Sequence, residues 1–433
     1  MVTNKPSTGA KVSNIWQDLQ WRGLIAQSTD EKVLADLLNN QSITFYIGFD
    51  PTAPSLHLGN LMQILLAKRL QLAGHKPLAL VGGATGLIGD PKDTGERNLN
   101  EEETVITWTE NIAKQLVKYF DFFGDNKCDV VNNFDWTSKI DAISLLRVLG
   151  KHFSINRMLE REAVSARLNA SGISYTEFSY AILQANDYLE LFNKHNCVLQ
   201  TGGSDQWGNI TAGVDLVRRV KSKTVHALTT PLMVKADGTK FGKTEAGTVW
   251  LSPELTSPYS FYQFWLNTDD RDIATLLKYF SFASKEVIED LIEKVRTDAS
   301  SRSAQKYLAQ ELTTLVHSKE QCEQVILASQ ALFGQGELKD IDKNILVAAL
   351  SEAGLTKIKL TTEMPNILDI LQQTNLCESK SAAKRTVEEG GAYINNVRIS
   401  DLNWTPTKTD LIHGSLLVVR RGKKVMAGVE IGG

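Results

Sequence analysis

The sequence predicts an α/β protein whose main domain is a doubly wound parallel sheet of the Rossmann-like type. Apolar runs at 43–49 and 77–81 have the length of buried strands. Between them, leucines recur at helical spacing, at positions 58, 61, 65 and 72. This pattern is a βαβ unit, and its crossover makes the two strands parallel.

Three further strand-like runs extend the same sheet to about residue 235. They lie at 129–132, 197–201 and 224–233 and alternate with helical stretches. The segment from about 120 to 195 is mainly helical and interrupts this rhythm. We interpret it as an insertion within a first domain of residues 1–250.

The rest of the chain predicts two smaller domains. After Pro258, apolar residues recur in helical stripes, which predicts an α-helical domain over 251–350. Lys, Thr and Pro interrupt the periodicity over 351–365, which predicts a linker. A compact helix-turn-strand pattern over 366–433 predicts a small α/β domain.

Charge and cysteine usage exclude several classes of protein. The 433 residues carry a net charge of -3, so any nucleic-acid site must be a local basic patch. The four cysteines are far apart and form no CxxC pair, which predicts neither disulfides nor a structural zinc and favours a cytoplasmic location. No apolar stretch is long enough to span a membrane.

One candidate nucleotide site is the segment 48–60, which leaves a predicted strand and opens a predicted helix. Ligands of doubly wound sheets bind at the carboxyl ends of strands, and the first turn of a helix offers N–H groups to phosphate. His57 therefore lies where a phosphoryl oxygen would bind, and Gly59 permits close approach. Taken alone, His57 is more often a capping or surface residue.

A second candidate is the loop 240–244, Lys-Phe-Gly-Lys-Thr. Two lysines three residues apart can close over a polyphosphate, although a solvated surface loop has the same composition. A P-loop would need Gly at 237, where the chain has Asp237. The glycine-rich run 82–89 lacks the GxGxxG spacing of a dinucleotide fingerprint.

A polar seam marks a helix that otherwise has apolar residues. Tyr180, Gln184 and Asp187 are spaced so that they share one narrow helical stripe. The pattern alone leaves two alternatives open, a solvated face and a ligand pocket.

Together these segments resemble a known family. His57-Leu58-Gly59-Asn60 and the loop 240–244 look like the paired "HIGH" and "KMSKS" signatures of class I aminoacyl-tRNA synthetases. Segments 46–53, 81–90 and 202–210 resemble the bacterial-type tyrosyl-tRNA synthetases, and the likeness covers nearly the whole chain. It implies a tyrosine–tRNA ligase, which activates L-tyrosine with ATP and transfers it to the 3'-terminal ribose of tRNA(Tyr).

The resemblance also implies roles for particular residues. Tyr46 and Asp187 would hold the phenolic hydroxyl of tyrosine, and Asp90, Tyr180 and Gln184 its ammonium, with Gln206 also in the pocket. The catalytic residues would be Thr52, His57, Lys240 and Lys243. ATP would contact these four and Gly48, Asp50, Gly59, Asn60, Gly203, Asp205 and Thr244. Asn60 stands where the family usually has a second His, which should alter nucleotide affinity without abolishing function.

The implied cofactors and partners follow from the same resemblance. ATP is a substrate, with Mg²⁺ carried by the nucleotide, and neither a tightly bound cofactor nor a protein metal site is expected. The family forms homodimers, with the inserted segment at the interface.

The C-terminal segment has a net positive charge, opposite in sign to that of the whole chain. Residues 371–424 contain nine Lys and Arg against five Asp and Glu. Such a local excess indicates phosphate binding, although a basic helix can also be a solvated face. The pattern resembles a small RNA-binding module shared with a ribosomal small-subunit protein, and it predicts RNA contacts from Lys380, Lys384, Arg385, Arg420 and Arg421.

Two other functions are compatible with parts of the pattern. A nucleotidyltransferase of the same signature superfamily would lack the RNA-binding tail. A non-catalytic RNA-binding protein with a synthetase fold would have decayed signatures, whereas His57, Asp90 and Asp187 are present, as are both lysines of the loop.

Overall fold

The computed structural model describes most of the chain. It covers residues 14–91, 95, 99–160, 162–169, 172–239, 241–244, 247–332, 334, 336–359, 364–422 and 425–432, without the side chains of residues 162, 163, 243 and 244. The chain divides into two compact units. The first comprises the described residues up to Ser252 together with Asp269–Thr297, and the second comprises Pro253–Thr268 together with those from Asp298 onward.

A six-stranded sheet lies at the centre of the first unit. Its strands are β1 (Gln27–Ser28), β2 (Thr44–Phe49), β3 (Lys76–Val81), β4 (Asp129–Asn132), β5 (Cys197–Gly203) and β6 (His226–Thr230). Their order is β1-β6-β5-β2-β3-β4, and neighbours are parallel except β1 with β6. The chain runs outward from β2 to one edge and from β5 to the other. The predicted doubly wound sheet is therefore confirmed, with its topological switch point between β2 and β5.

Helices cover this sheet. They are α1 (Ile15–Arg22), α2 (Glu31–Asn40), α3 (Leu58–Leu72), α4 (Thr85–Ile88), α5 (Glu102–Leu116), α6 (Phe134–Thr137), α7 (Ala142–Ser144), α8 (Ile155–Leu159), α9 (Glu162–Leu168), α10 (Tyr175–His195) and α11 (Trp207–Lys221). A π-helical turn, Leu145–Leu149, follows α7. A short hairpin of β7 (Lys243–Thr244) and β8 (Gly247–Thr248) comes after the sheet.

Two of these helices contribute side chains to the cavity described below. Three of the leucines predicted from the 3.6-residue period, Leu58, Leu61 and Leu65, are buried on α3, and this helix packs on the sheet. Helix α10 begins at Ser174, whose side chain accepts a hydrogen bond from the amide of Glu177, and ends at Asn196 in a left-handed conformation. It packs along α11 and beside β5.

Four helices form the core of the second unit. Helix α12 (Pro258–Leu266) belongs to it, whereas α13 (Asp270–Phe280) and α14 (Lys285–Thr297) return to the first unit. Helix α12 packs against α15 (Ser303–Val316), α16 (Lys319–Leu332) and α17 (Lys343–Gly354). None of the helices in the described part of the chain has the length and apolar character needed to span a bilayer.

A five-stranded sheet completes the second unit. Its elements are β9 (Leu355–Lys359), α18 (Ile367–Gln373), α19 (Lys380–Glu388), β10 (Ala392–Ile394), β11 (Val397–Arg398), β12 (Leu416–Arg421) and β13 (Val425–Gly432). The strand order is β11-β10-β12-β13-β9, with only β9 and β13 parallel.

Strand β9 corrects one expectation. Residues 351–365 were expected to form a linker, but 355–359 pair with β13 along the edge of this sheet. Ile358 is buried while Lys357 and Lys359 face solvent, which is the alternation of an edge strand. The other predicted domain boundaries remain predictions.

Candidate active site

A cavity of about 410 Å³ opens at the carboxyl ends of β2, β3 and β5, where the switch point predicts a ligand. We call it the ligand cavity. The described side chains predicted for tyrosine and ATP all line it, as do Thr85, Gln200 and Met233. The predicted residues are Tyr46, Gly48, Asp50, Thr52, His57, Gly59, Asn60, Asp90, Tyr180, Gln184, Asp187, Gly203, Asp205 and Gln206.

Asp187 is held from two sides at the buried end of this cavity. Its Oδ1 accepts a hydrogen bond of 2.8 Å from Nε1 of Trp136, and its Oδ2 accepts one of 3.0 Å from Nδ2 of Asn133. The Asn133 amide also donates to the Thr85 hydroxyl at 2.9 Å, and its carbonyl accepts from the Ala84 amide at 2.8 Å. The carboxylate orientation is therefore fixed before any ligand binds.

Burial changes the proton affinity of these groups. It raises the pKa of Asp187 to about 7, although the bonds from Asn133 and Trp136 act in the opposite direction. Burial also raises the pKa of the Tyr46 hydroxyl, and the nearby Asp187 charge adds to this shift. Tyr46 is therefore a neutral hydroxyl beside a carboxyl group that titrates near neutrality.

Asp50 connects the seam on α10 to the loop after β3. Its Oδ2 accepts a 2.6 Å hydrogen bond from the Tyr180 hydroxyl, and its Oδ1 accepts one of 2.7 Å from the Thr85 hydroxyl. A Cβ atom at Gly82 would lie 2.0 Å from Oδ1 of Asp50, so only glycine fits there. Because Tyr180 donates its proton to Asp50, its oxygen can accept from a ligand.

A second carboxylate, Asp90, is held by residues that follow β5. Gln206 Nε2 donates to its Oδ2 at 2.8 Å, and Asn209 Nδ2 donates to its Oδ1 at 3.0 Å. Asn209 also donates to Oε1 of Gln206 at 3.2 Å. These contacts join the segment that follows α4 to the start of α11.

His57 both caps α3 and lines the cavity. Its Nδ1 accepts from the amides of Gly59 and Asn60 at 3.0 and 3.4 Å, and Oδ1 of Asn60 accepts from the His57 amide at 3.0 Å. This is a capping box. Since Nδ1 accepts, the proton of the neutral ring resides on Nε2, which can donate to an anion. Asn60 uses its carbonyl in the cap, so it offers the cavity its amide.

The lysine loop is described only in part. Lys240 lies outside the described residues, and of Lys243 and Thr244 only the backbone, which forms β7, is described. The backbone links this loop to the His57 segment, because the Leu58 amide donates to Val249 and the Val249 amide donates to Gly242. Gly242 has φ +82 and Leu58 lies against it, at 3.3 Å from where its Cβ would be.

Sequence reasoning missed four side chains of this site. Thr85, Asn133, Trp136 and Asn209 join the predicted residues through contacts between distant parts of the chain. Asn133 follows β4 directly, so the rule that ligands lie at the ends of parallel strands could have identified it. Asn209 lies in the segment 202–210 that carried the resemblance.

The predicted RNA-binding residues divide into two groups. Lys380, Lys384, Arg385 and Arg421 are exposed on α19 and β12. Arg420 is only 8% exposed, and its guanidinium lies 5.2 Å from the ring centroid of Tyr393. Its burial argues against the predicted phosphate contact, whereas Arg421, the last residue of the same strand, is exposed.

Comparison with known proteins identifies the class. Residues 38–334, more than half of the chain, match the family model "tRNA synthetases class I (W and Y)". Residues 348–427 match the model "Tyrosine--tRNA ligase SYY-like C-terminal domain". The chain therefore belongs to the class I tRNA synthetases of the tryptophan and tyrosine group.

Similar proteins narrow this to the tyrosine–tRNA ligases. The chain is 55% identical to the tyrosine–tRNA ligase of Streptomyces avermitilis, over 98% of this chain and all of that protein, and 53% identical to that of Thermobifida fusca, over 96% and 99%. It resembles the solved structure of a C-terminally truncated mitochondrial tyrosyl-tRNA synthetase from Coccidioides posadasii, with 30% identity, a TM-score of 0.64 and coverage of 73% and 92%. The predicted tyrosine–tRNA ligase is thus confirmed.

Proposed function

We propose that the ligand cavity binds tyrosine beside ATP and forms tyrosyl-adenylate. One observation carries this proposal. Among the described residues, four buried polar atoms of the cavity wall have no hydrogen-bond partner: the Tyr46 hydroxyl and the Oε1 atoms of Gln63, Gln184 and Gln200. Buried polar atoms are almost always hydrogen-bonded, so these four favour a polar ligand.

Helix α10 sets the distance between the two ends of the amino-acid site. Tyr180 and Asp187 are seven residues apart, which separates them by about 10 Å along the helix axis. We assign the phenolic hydroxyl of the substrate to Tyr46 and Asp187, and its ammonium to Asp90, Tyr180 and Gln184. Phenylalanine would leave the polar groups at the buried end unpaired, which disfavours its binding.

The chemistry requires alignment and positive charge but no general base. The tyrosine carboxylate is ionised at neutral pH and attacks the α-phosphate of ATP, so that a P–O bond forms while the bond to pyrophosphate breaks. Thr52 and His57 would contact the phosphates, joined by Lys240 and Lys243 from the loop. Asp205, Gln206 and Asp50 would bind the ribose and amino-acid ends of the adenylate.

Magnesium would arrive with the nucleotide. Among the described residues there is no group of three or more His, Cys, Asp or Glu side chains that could hold a metal ion. Mg²⁺ needs few protein ligands when phosphates supply oxygens. We therefore assign the ion to the ATP phosphates.

The second step would transfer the tyrosyl group to the terminal ribose of tRNA(Tyr). The exposed Lys380, Lys384, Arg385 and Arg421 would contact RNA phosphates. The four cysteines are free and buried, which supports the cytoplasmic location proposed above.

The inserted segment supports a homodimer. Its described residues include nine exposed large apolar or aromatic side chains, more than isolated surface residues would explain: Phe123, Phe134, Ile143, Leu146, Val148, Ile155, Leu159, Leu168 and Tyr175. Sedimentation of the variant Ile143→Glu/Leu146→Glu should give a monomer. Val425→Glu, at an exposed apolar residue of the second unit, is the control and should remain dimeric. A wild-type monomer at micromolar concentration would contradict the proposal.

Tyrosine-dependent exchange of pyrophosphate into ATP tests the central proposal. The full chain should catalyse this exchange with tyrosine and much more slowly with phenylalanine. Asp187→Asn keeps the shape of the side chain and removes its charge, so it should lose most of this preference. Exchange that is independent of tyrosine would contradict the assignment of the cavity.

A further inference from the structure

Asp90 accepts hydrogen bonds from two side chains, Gln206 and Asn209, that lie on neighbouring turns of one segment. Gln206 ends the 3-10 turn Ser204–Gln206, and Asn209 lies three residues further on, in the first turn of α11. One amide reaches Oδ2 of the carboxylate at 2.8 Å and the other reaches Oδ1 at 3.0 Å. The carboxylate is therefore fixed in rotation as well as in position.

Asn209 also sets the orientation of Gln206. An asparagine amide carries two N–H groups, and here Nδ2 lies within hydrogen-bond distance of both Asp90 and Oε1 of Gln206. Because Oε1 of Gln206 accepts from Asn209, the opposite end of that amide, Nε2, is turned toward Asp90. Rotation of the Gln206 amide would place two oxygens together at Asp90 and two donors together at Asn209.

This orientation matters for a cationic ligand. A carboxylate is negatively charged and each of its oxygens has two lone pairs, so Asp90 can attract an ammonium group while it accepts the hydrogen bonds from Gln206 and Asn209. Asp90 and Gln206 both line the ligand cavity, whereas Asn209 does not. Asn209 can therefore act on a ligand through the two residues that it holds.

We propose that Asn209 is a positioning residue for the substrate ammonium: it holds Asp90 and Gln206 in the arrangement that receives the charged amino group of tyrosine. The inference rests on the proposed function, which assigns the ammonium to Asp90. Without Asn209, the carboxylate can rotate and the Gln206 amide can flip, so the ammonium meets a less ordered partner. The phenolic end of the pocket, held by Asn133 and Trp136, is unaffected.

A pair of ligands separates positioning from general damage. L-Tyrosine and 3-(4-hydroxyphenyl)propanoate share the phenol and the carboxylate, and only tyrosine has the ammonium. Calorimetric titration of the full-length Asn209→Ala variant should show tyrosine bound about tenfold more weakly, because a charge-assisted contact is impaired. The propanoate should bind within about twofold of wild type. Alanine is the best helix former, so α11 should remain folded.

The matched control lies on the same helix. Thr211 donates its hydroxyl proton to the carbonyl of Trp207 and is not part of the ligand cavity. Thr211→Ala should leave both affinities unchanged. If Asn209→Ala weakens both ligands equally, the residue has only a structural role, and if it weakens neither, Asn209 has no role in binding. Either result overturns the inference.

One further variant separates failure of this inference from failure of the proposed function. Asp90→Asn removes the charge and should abolish the preference for tyrosine over the propanoate. If Asp90→Asn keeps that preference, the assignment of the ammonium to Asp90 is wrong. If Asp90→Asn loses the preference while Asn209→Ala keeps it, only the positioning role of Asn209 is wrong.

Discussion

The ligand cavity and the basic surface around α19 both carry charged side chains, but they hold them in different ways. In the cavity, Asp187 and Asp90 each receive two side-chain hydrogen bonds. On the surface, Lys384 is exposed and its nearest carboxylate, Glu388, is 3.8 Å away. Exposed pairs of this kind contribute little to stability and leave the cation available.

With the proposed ligands, this difference would correspond to two kinds of recognition. Tyrosine is small and must be distinguished by one hydroxyl, so its partners in the proposed site are fixed in advance and shielded from water. A tRNA presents many phosphates, and screened, flexible cations are sufficient for contacts that carry no sequence information. Mutations should therefore have steep, ligand-specific effects in the cavity and shallow, salt-dependent effects on the surface.

Asp187→Ala should have the largest effect. The phenol loses a charge-assisted hydrogen bond and its hydroxyl stays buried, so kcat/KM for tyrosine in pyrophosphate exchange should fall roughly 100- to 1,000-fold. The preference over phenylalanine should shrink in parallel, because the lost contact involves only the hydroxyl. Unchanged selectivity in this variant would show that another group recognises the phenol.

Removing the C-terminal sheet should separate the two regions. A chain that ends at Gly354 lacks the exposed cations of α19 and β12 and should lose about a hundredfold in tRNA charging, while adenylate formation stays within about twofold. The cut precedes β9, since a chain ending near residue 360 would keep a strand without its partner β13. Charging at wild-type efficiency by the shortened chain would contradict an RNA-binding role of this sheet.

The shortened chain should fold because it keeps the first unit together with helices α12 and α15 to α17 of the second unit. Helix α17 contacts β13, so the truncation also exposes part of α17, and a lower melting temperature is expected. Adenylate formation, which depends on the first unit, is the control that the rest remains folded.

The sheet of the first unit could be predicted from sequence because its signals are local. A buried strand such as β3 is a short apolar run, and α3 shows its leucines at helical spacing, so both follow from periodicity. Strand β9 escaped prediction because its partner β13 lies about 70 residues away and three of its five residues are Lys or Thr. An edge strand with polar residues has no apolar run to mark it.

The residues that line the cavity could be predicted from the sequence, whereas the residues that hold them could not. The seam on α10 has a helical period, so Asp187 could be found. Asn133 and Trp136 contact it from 54 and 51 residues away, and no period records such a contact. Charge counting does not distinguish Arg420 from Arg421, although Arg420 is buried and Arg421 is exposed.

The raised pKa of Asp187 predicts a pH dependence that surface sites should lack. With a pKa of about 7, the carboxyl group is largely protonated at pH 6 and ionised at pH 8. The phenol donates best to the ionised form, so tyrosine affinity should rise by up to about tenfold from pH 6 to pH 8. The dependence should disappear in Asp187→Asn, measured by calorimetry. An equal dependence in that variant would assign it to another group.

The raised pKa of Asp187 also predicts how the stability of the protein depends on pH, with the opposite sign to the effect on tyrosine affinity. Because the folded pKa lies above the ordinary value, the folded state holds an extra proton between about pH 4 and pH 7. This contribution to stability is present at low pH and is lost as the pH rises through about 7. The free energy of unfolding in urea should therefore fall between pH 6 and pH 8 more in wild type than in Asp187→Asn.

The smallest effect is expected at the surface, where two basic residues of the same sheet region provide a matched pair. Lys384 is exposed and Arg420 is buried beside Tyr393. Lys384→Ala removes one phosphate contact, so tRNA affinity should fall a few-fold at low salt, and the slope of log affinity against log salt should decrease by about one. Its melting temperature should stay within about 1 °C of wild type, since exposed charges contribute little to stability.

Arg420→Ala should do the reverse, because it removes a packed guanidinium from the sheet while leaving the exposed cations in place. It should lower the melting temperature by several degrees and leave the salt slope unchanged. If Arg420→Ala reduces the salt slope as Lys384→Ala does, the buried arginine reaches RNA after all.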